Sequence, residues 1–388
     1  MGNISFEERV KGVVIATAYG DALGATIEKL SYDEIKAKYG RVEGLNTKWW
    51  KADWPPEERL NKIRGNGIIT DDTLMTLALM NVYNNLQRHI DSYDMADEFV
   101  KEIAFRKRYI PEFDKEALIM DRLFYPEKYI FMRHTLANCN PREGGIGNMV
   151  NCGAAMYISP IGIVNACNPK GAYDEAILFA IGHQWSYGLE AAGVLAACVA
   201  KAFVPDVTID EVVETALCFA KDGTRMAIKD IYEVANKLKK HKDNKELIVR
   251  EFHKAIKKYS PMGDDVSRSI EKVGIPSNHY TPSRLFSIEE LPIALGYCVI
   301  HEGDFYETII DGVNSGRDTD SIGVMIGAIL GAMYGSSILD KNDISILEEA
   351  NKSNLIENAD KFAKTAINII KKDMNLRKEM EKHINSMI

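Results

Sequence analysis

Residues 316–335, GRDTDSIGVMIGAILGAMYG, open with two aspartates flanking a threonine and then run for over a dozen residues without a charge. So continuous an apolar run at helical length belongs in a core. Gly323, Gly327, Gly331 and Gly335 recur at every fourth position. Each glycine costs about 1 kcal/mol relative to alanine in a helix interior, so four of them need compensation. Residues four apart share a stripe, which leaves one side of this helix without Cβ atoms, where a second helix can press its backbone. Gly20 and Gly24, near the end of the first helical segment, offer a matching patch. The expectation is that these two helices cross closely in the core. The alternative is that the glycines relieve crowding against bulky neighbours. Ile322 to Leu339 also has about the length of a bilayer crossing. Asp318 and Asp320 at its start, no basic anchor and no second span argue against that reading.

Helical periodicity continues outward from this segment. Phe6, Val10, Val13, Val14 and Thr17 mark one face of a helix running to about Gly24. Thr70 can cap a helix carrying Leu74, Leu77, Ala78, Val82 and Leu86. Further helical runs are read near 94–106, 114–124, 171–182, 186–203, 208–221, 225–240, 243–258, 288–300, 303–314, 319–335 and 357–384. Alternating strand-like segments are hard to find, so the expected fold is all-α, one compact multi-helix domain. Two long connections stand out, 40–69 with Trp49, Trp50 and Trp54, and 260–287 with Pro261, Gly263, Gly274, Pro276 and Pro282. Loops of this length in a compact domain tend to be functional. The tryptophans can stack a flat group or pack as a lid. The catalytic body is expected over 1–340, with 341–388, rich in interleaved Lys and Glu, as a helical extension packed on the same domain.

The 388 residues are 46% hydrophobic and 27% charged, with a formal net charge of −8. That balance disfavours a general nucleic-acid binder, which needs excess clustered positive charge. Six cysteines are scattered with no C-x-x-C pair, so neither a zinc motif nor a disulfide framework is expected. The segment MGNISFEERVKG lacks the apolar core of a signal peptide and misses the myristoylation pattern. The expected location is the cytoplasm.

Carboxylates gather at three helix-associated places: Asp21 and Glu28 in GDALGATIE, Asp71 and Asp72 in TDDT, and Asp318 and Asp320 in DTDS. Neighbouring carboxylates repel, and holding them together at neutral pH needs cations, protons or full solvation. The second and third clusters mix carboxylate and hydroxyl oxygens without His or Cys, a donor set that suits Mg²⁺, Mn²⁺ or Ca²⁺. Two such clusters meeting in space supply about the ligand count of a two-metal centre. Each could also be an ordinary helix cap with acids in the first turn.

At these motifs the chain resembles the ADP-ribosylglycohydrolase family, which includes the dinitrogen reductase-activating glycohydrolases. The match is G-D-x-x-G-x-x-x-E, then T-D-D-T, then D-T-D-[ST]-I ahead of a Gly/Ala-rich helix, across about residues 8–340. Cys152-Gly153-Ala154-Ala155-Met156 with Pro160-Ile161-Gly162, and Gly182-His183 before an alanine-rich helix, fit as well. The resemblance implies an all-α fold with a binuclear Mg²⁺ cleft, Mn²⁺ being an alternative, that hydrolyses a glycosidic bond at C1 of a ribose. By matching positions, Thr70, Asp71 and Asp72 would hold the ions from one side and Asp318, Asp320 and Ser321 from the other. Glu28, Asp71 and Asp320 are the candidate catalytic carboxylates. Asn151, Cys152, Gly153, His183, Trp185, Gly316 and Arg317 are the candidate substrate contacts.

Three positions depart from the family pattern. Arg317 stands where a second Gly is common, Cys152 where some members have Asn, and Tyr157 where Arg is frequent. These bear on the leaving group more than on the metal chemistry. The substrate the resemblance implies is an ADP-ribosyl compound or an ADP-ribosylated protein, with the leaving group open. A nucleoside or nucleotide, or non-catalytic binding of a ribosyl ligand, are the alternatives.

Overall fold

A methyl group on Gly20 would lie 2.2 Å from the carbonyl oxygen of Gly323. Gly12 meets Gly331 at 2.4 Å, Gly327 meets Ala16 at 2.2 Å, and Gly24 meets Thr319 at 2.4 Å in the same sense. These pairs run in opposite directions along the chain. The N-terminal helix Phe6–Ala25 and the glycine helix Thr319–Tyr334 therefore lie antiparallel, backbone on backbone, along most of their length. Both are buried nearly all round, as the apolar run and the glycine spacing predict. Arg9 donates to the carbonyls of Ala332 (2.6 Å) and Met333 (2.9 Å), placing a cation on the C-terminal end of the glycine helix. At the opposite end, the Thr319 hydroxyl donates to the Gly24 carbonyl at 2.7 Å.

The computed structural model describes residues 4–259 and 287–388. Residues 260–286, most of the second long connection, lie outside the described residues. Among the described residues the regular elements are helices apart from one antiparallel hairpin, Arg108–Ile110 with Lys115–Ala117. Helices Asp71–Leu86, Ser186–Ala202, Ser287–Ile300, Phe305–Asn314 and Leu355–Asn385 pack against the central pair, and Pro169–Ala180 covers Ser186–Ala202 from outside. No helix among the described residues is long and apolar enough to cross a membrane.

The hairpin corrects the helix read at 114–124. Pro111 starts a short 3-10 turn and Asp114 sits at φ 47°, so the chain reverses before a helix can propagate. Only Ile119–Arg122 of that stretch is α-helical. Tyr32–Tyr39 is a helix the periodicity misses, although its Ser31/Glu34 capping box is written in the sequence. The connection 40–69 holds neither helix nor strand and is closed by an isolated bridge between Lys48 and Gly65.

The C-terminal helix Leu355–Asn385 buries Leu355, Ala359, Phe362, Ala363, Ala366 and Ile369 and is exposed beyond. Its last polar anchor is His89, whose ring meets Glu175 at 2.6 Å and Asp373 at 2.8 Å. The Glu175 hydrogen bond, against burial and with Asp373 assisting, raises His89 to about 9. A raised histidine contributes stability that is complete below its unfolded value of about 6.5 and lost as pH rises through 9. Thermal unfolding of wild type and His89→Gln is therefore expected to differ most near pH 6, with the gap closing in alkali. A gap that widens above pH 9 would contradict this assignment.

Candidate metal centre

The antiparallel register brings the end of the N-terminal helix to the start of the glycine helix, and with it Glu28 to Asp318 and Asp320. One oxygen from each of these three carboxylates lies within 4.8 Å of the others. The turn after the N-terminal helix is stitched to the aspartate segment by backbone bonds, Lys29 N–H to Arg317 O (3.0 Å) and Arg317 N–H to Leu30 O (2.9 Å). Gly316, at φ 87°, allows this approach: a Cβ there would stand 2.8 Å from the Tyr32 nitrogen.

Asp21 brings in the third element. Its buried carboxylate accepts from the Thr70 N–H at 2.9 Å, the Thr73 N–H at 3.1 Å and the Thr73 hydroxyl at 2.5 Å. It thereby holds the N-terminus of helix Asp71–Leu86, which Thr70 caps, against the central pair. Asp72 then reaches the glycine helix: the Ser321 hydroxyl donates to Asp72 Oδ1 at 3.0 Å. The two acidic helix starts, more than two hundred residues apart in sequence, thus meet in one place.

The cluster is crowded with like charge. Burial, and next the charge of Asp320, push Asp21 up to about 7. Burial and then Asp320 push Asp72 and Asp318 well above the usual carboxylate range. Burial and Glu28 push Asp320 up to about 6. Glu28 goes the other way: burial opposes its ionisation, but Lys29 and Arg64 outweigh it and hold the carboxyl well below the usual value.

A buried ion chain underlies this. Arg64 pairs with Glu28 and, at 2.7 Å, with Glu112; Arg122 pairs with Glu112 and with Asp71. Trp49 packs beneath Arg64, and the Trp50 indole donates to the Glu28 carbonyl at 3.1 Å. Trp50 and Trp54 meet edge to face at 5.1 Å, and Trp54 is exposed. The tryptophan loop is therefore the wall behind Glu28. Arg64, Glu112 and Arg122 carry no sequence signal, because single charges in loops and short elements have no period.

The remaining candidates fall into two groups. Asn151, Gly153 and His183 share a buried network around Glu127. His183 bonds Tyr157 through Nδ1 at 2.7 Å and Glu127 through Nε2. Asn151 donates to Glu127 at 3.2 Å and accepts from Gln184 (2.6 Å) and the Gly153 N–H (3.0 Å). Trp185 is 41% exposed, its indole N–H donating to the Asn148 carbonyl at 2.6 Å. Cys152 joins the carboxylates instead, with Sγ 3.1 Å from Asp318 Oδ2 and 3.3 Å from Ser321 Oγ. Arg317 is buried, and its guanidinium donates to Glu289 at 3.2 Å. Glu289 and Glu290 open helix Ser287–Ile300, and both were missed. Their signal was the one that exposed Asp71 and Asp72: paired acids ahead of an apolar helix.

This geometry suits divalent cations. Five buried carboxylates converge, and their mutual repulsion is relieved by positive charge placed among them.

The profile of the ADP-ribosylglycohydrolase family matches residues 3–371. That span runs past 340 and ends where the C-terminal helix leaves the body. The uncharacterized protein YegU of Escherichia coli K12 is 22% identical over 346 residues, covering 86% of this chain and 90% of YegU. An uncharacterized protein of Archaeoglobus fulgidus is 25% identical over 330 residues, covering 84% and 88%. Among solved structures, a chain of an ADP-ribosylglycohydrolase-related protein complex superposes with a TM-score of 0.61 at 18% identity, covering 93% of this chain and 99% of that one.

Proposed function

The chain belongs to the ADP-ribosylglycohydrolase family, and from that premise we propose that it is a divalent-metal-dependent hydrolase cleaving the glycosidic bond at ribose C1 of an ADP-ribosylated substrate. The observation that supports this most is the convergence of Asp71, Asp72, Asp318, Asp320 and Ser321 beside Glu28. Thr70, Asp71 and Asp72 from one side and Asp318, Asp320 and Ser321 from the other would hold a pair of ions, Mg²⁺ or Mn²⁺ by their oxygen donors. Such ions, when bound, orient ribose hydroxyls and activate water.

The chain's own groups do the rest. Departure of the leaving group builds positive charge on the anomeric carbon. Glu28, kept ionised by Lys29 and Arg64, stabilises that charge. A carboxylate of the aspartate cluster takes the proton of the attacking water. Trp185 offers a flat exposed face to a base, and the network around Glu127 fixes the Asn151–Gly153 turn on which Cys152 stands.

The test is a panel of ADP-ribosylated proteins, ADP-ribosyl small molecules and nucleosides, each incubated with the protein and Mg²⁺ or Mn²⁺. Release of ADP-ribose that stops on chelation with EDTA and returns on adding Mg²⁺ or Mn²⁺ is expected. Release of ribose from nucleosides alone would move the substrate to the smaller class. Turnover that persists in EDTA would end the metal reading.

A further inference from the structure

The hairpin Arg108–Ile110 with Lys115–Ala117 carries Glu112 at its turn, and Glu112 is fully buried. The Ile63 N–H donates to its backbone carbonyl at 2.7 Å, so the turn is fastened to the tryptophan loop. Its side chain takes two guanidiniums, one on each oxygen: Arg64 Nε on Oε1 at 2.7 Å and Arg122 Nε on Oε2. The outer nitrogens of the same two groups go to the metal centre, Arg64 Nη1 to Glu28 and Arg122 Nη1 to Asp71. Each arginine thus uses the same two atoms in the same sense, Nε on Glu112 and Nη1 on a site carboxylate. Both arginine side chains are less than a tenth exposed.

A guanidinium is planar and rigid, so the direction of its Nε–H fixes the direction of its Nη1–H. Holding both Nε atoms on one carboxylate therefore fixes where both Nη1 atoms lie, and with them Glu28 and Asp71. These two reach the centre from different elements, the turn after the N-terminal helix and the start of helix Asp71–Leu86. Burial opposes the charge of Glu112, but Arg122, Lys62 and Arg64 outweigh it and bring its carboxyl down to about 2. Stability alone is a poor account of this arrangement. A buried ion pair costs desolvation, and apolar residues of like volume often hold a fold as well. A carboxylate behind the ligands that fixes their orientation is a common feature of metal sites.

Resting on the divalent-ion reading above, we infer that Glu112 is a positioning residue of the centre. Through Arg64 and Arg122 it sets the placement of Glu28, beside the reacting sugar, against that of Asp71, among the ions. Neither arm replaces the other: Arg64 serves Glu28, and Arg122 serves Asp71. The hairpin that interrupts the helical fold is the element that delivers this carboxylate.

The experiment measures Mg²⁺ affinity by calorimetry, and turnover at saturating Mg²⁺, on full-length wild type and variants. The substrate is whichever ADP-ribosyl compound of the panel above the wild type hydrolyses. Glu112→Gln keeps the shape but offers one acceptor oxygen to two Nε–H donors, so it cannot hold both arms at once. Mg²⁺ affinity and turnover are both expected to fall, by about 10- to 100-fold. Arg122→Lys and Arg64→Lys keep each charge but lose the fork. The first is expected to weaken Mg²⁺ binding and the second to lower turnover. Adding Glu112→Gln to Arg122→Lys is expected to weaken Mg²⁺ binding no further, because both break the same arm. An independent structural role would make the losses add. Additive losses, or a Glu112→Gln protein equal to wild type in both measurements, overturn the positioning role and leave the metal centre standing. A wild type that shows no heat of binding with Mg²⁺ or Mn²⁺ and hydrolyses nothing in the panel overturns the proposed function itself. Circular dichroism checks each fold. If Glu112→Gln fails to fold, the two lysine variants decide, and Mg²⁺ affinity and turnover equal to wild type in both overturn the role.

Discussion

Gly327→Val is expected to destabilise the protein by about 3 kcal/mol or more, enough to remove much of the soluble folded protein. The Cβ alone would fall 2.2 Å from the Ala16 carbonyl oxygen, 2.5 Å from the Ala16 carbonyl carbon and 2.9 Å from the Thr17 nitrogen. All three are backbone atoms of a buried helix, so no side chain can rotate out of the way. The two central helices must separate, and the void between them cannot be refilled from a packed interior. Gly44→Ala is the control. No atom lies within 4 Å of a Cβ at Gly44, so its effect is expected within about 0.5 kcal/mol. Chemical denaturation of the three proteins measures the difference. Equal midpoints for Gly327→Val and wild type would mean that the helices do not touch as described. The fraction of Gly327→Val that does fold is expected to bind divalent ions more weakly, because the same helix contact sets the distance from Glu28 to Asp318 and Asp320.

Asp320→Asn is expected to reduce turnover on the order of 10²–10³-fold while leaving the fold intact. The side chain lies in the cluster formed by Glu28, Asp318, Asp71 and Asp72, where each negative charge raises the energy of the others. Removing one of these charges relieves repulsion in the metal-free protein. Its unfolding temperature should therefore equal or exceed that of wild type. The increase in unfolding temperature that Mg²⁺ produces in wild type should shrink, because that increase scales with ion affinity for the folded state. Activity assays and melts with and without Mg²⁺ separate the two effects. A variant that turns over at the wild-type rate would remove Asp320 from the site. A variant that loses activity through unfolding would show a lower melting point without metal, which repulsion does not predict.

The departures from the sequence reading share a cause. Lys115-Glu116-Ala117 has ordinary helix-forming residues, yet it pairs with Arg108–Ile110, because Pro111 and Asp114 turn the chain back and Ile110 and Ala117 gain burial together. The partner of Arg317 has no sequence mark either: the fold sets Glu289 3.2 Å from its guanidinium. Which group faces the Cys152 thiol is equally unmarked in the sequence: the fold sets Asp318 Oδ2 3.1 Å from its sulfur.

From residue order alone, the all-α class, the burial of the glycine helix and the meeting of its bare face with Gly20 and Gly24 could be derived. Each rests on a local period that repeats every three or four residues. Two of the three acidic motifs, at Asp71–Asp72 and Asp318–Asp320, were legible for the same reason, since acids at helix starts are marked by the apolar runs that follow them. Which charges neutralise one another was decided by the tertiary structure. Glu112 between Arg64 and Arg122, Asp21 under Thr70 and Thr73, and Glu289 against Arg317 are contacts between single residues separated along the chain. Such contacts leave no period behind, because Coulomb energy depends on distance in space and not on distance along the sequence.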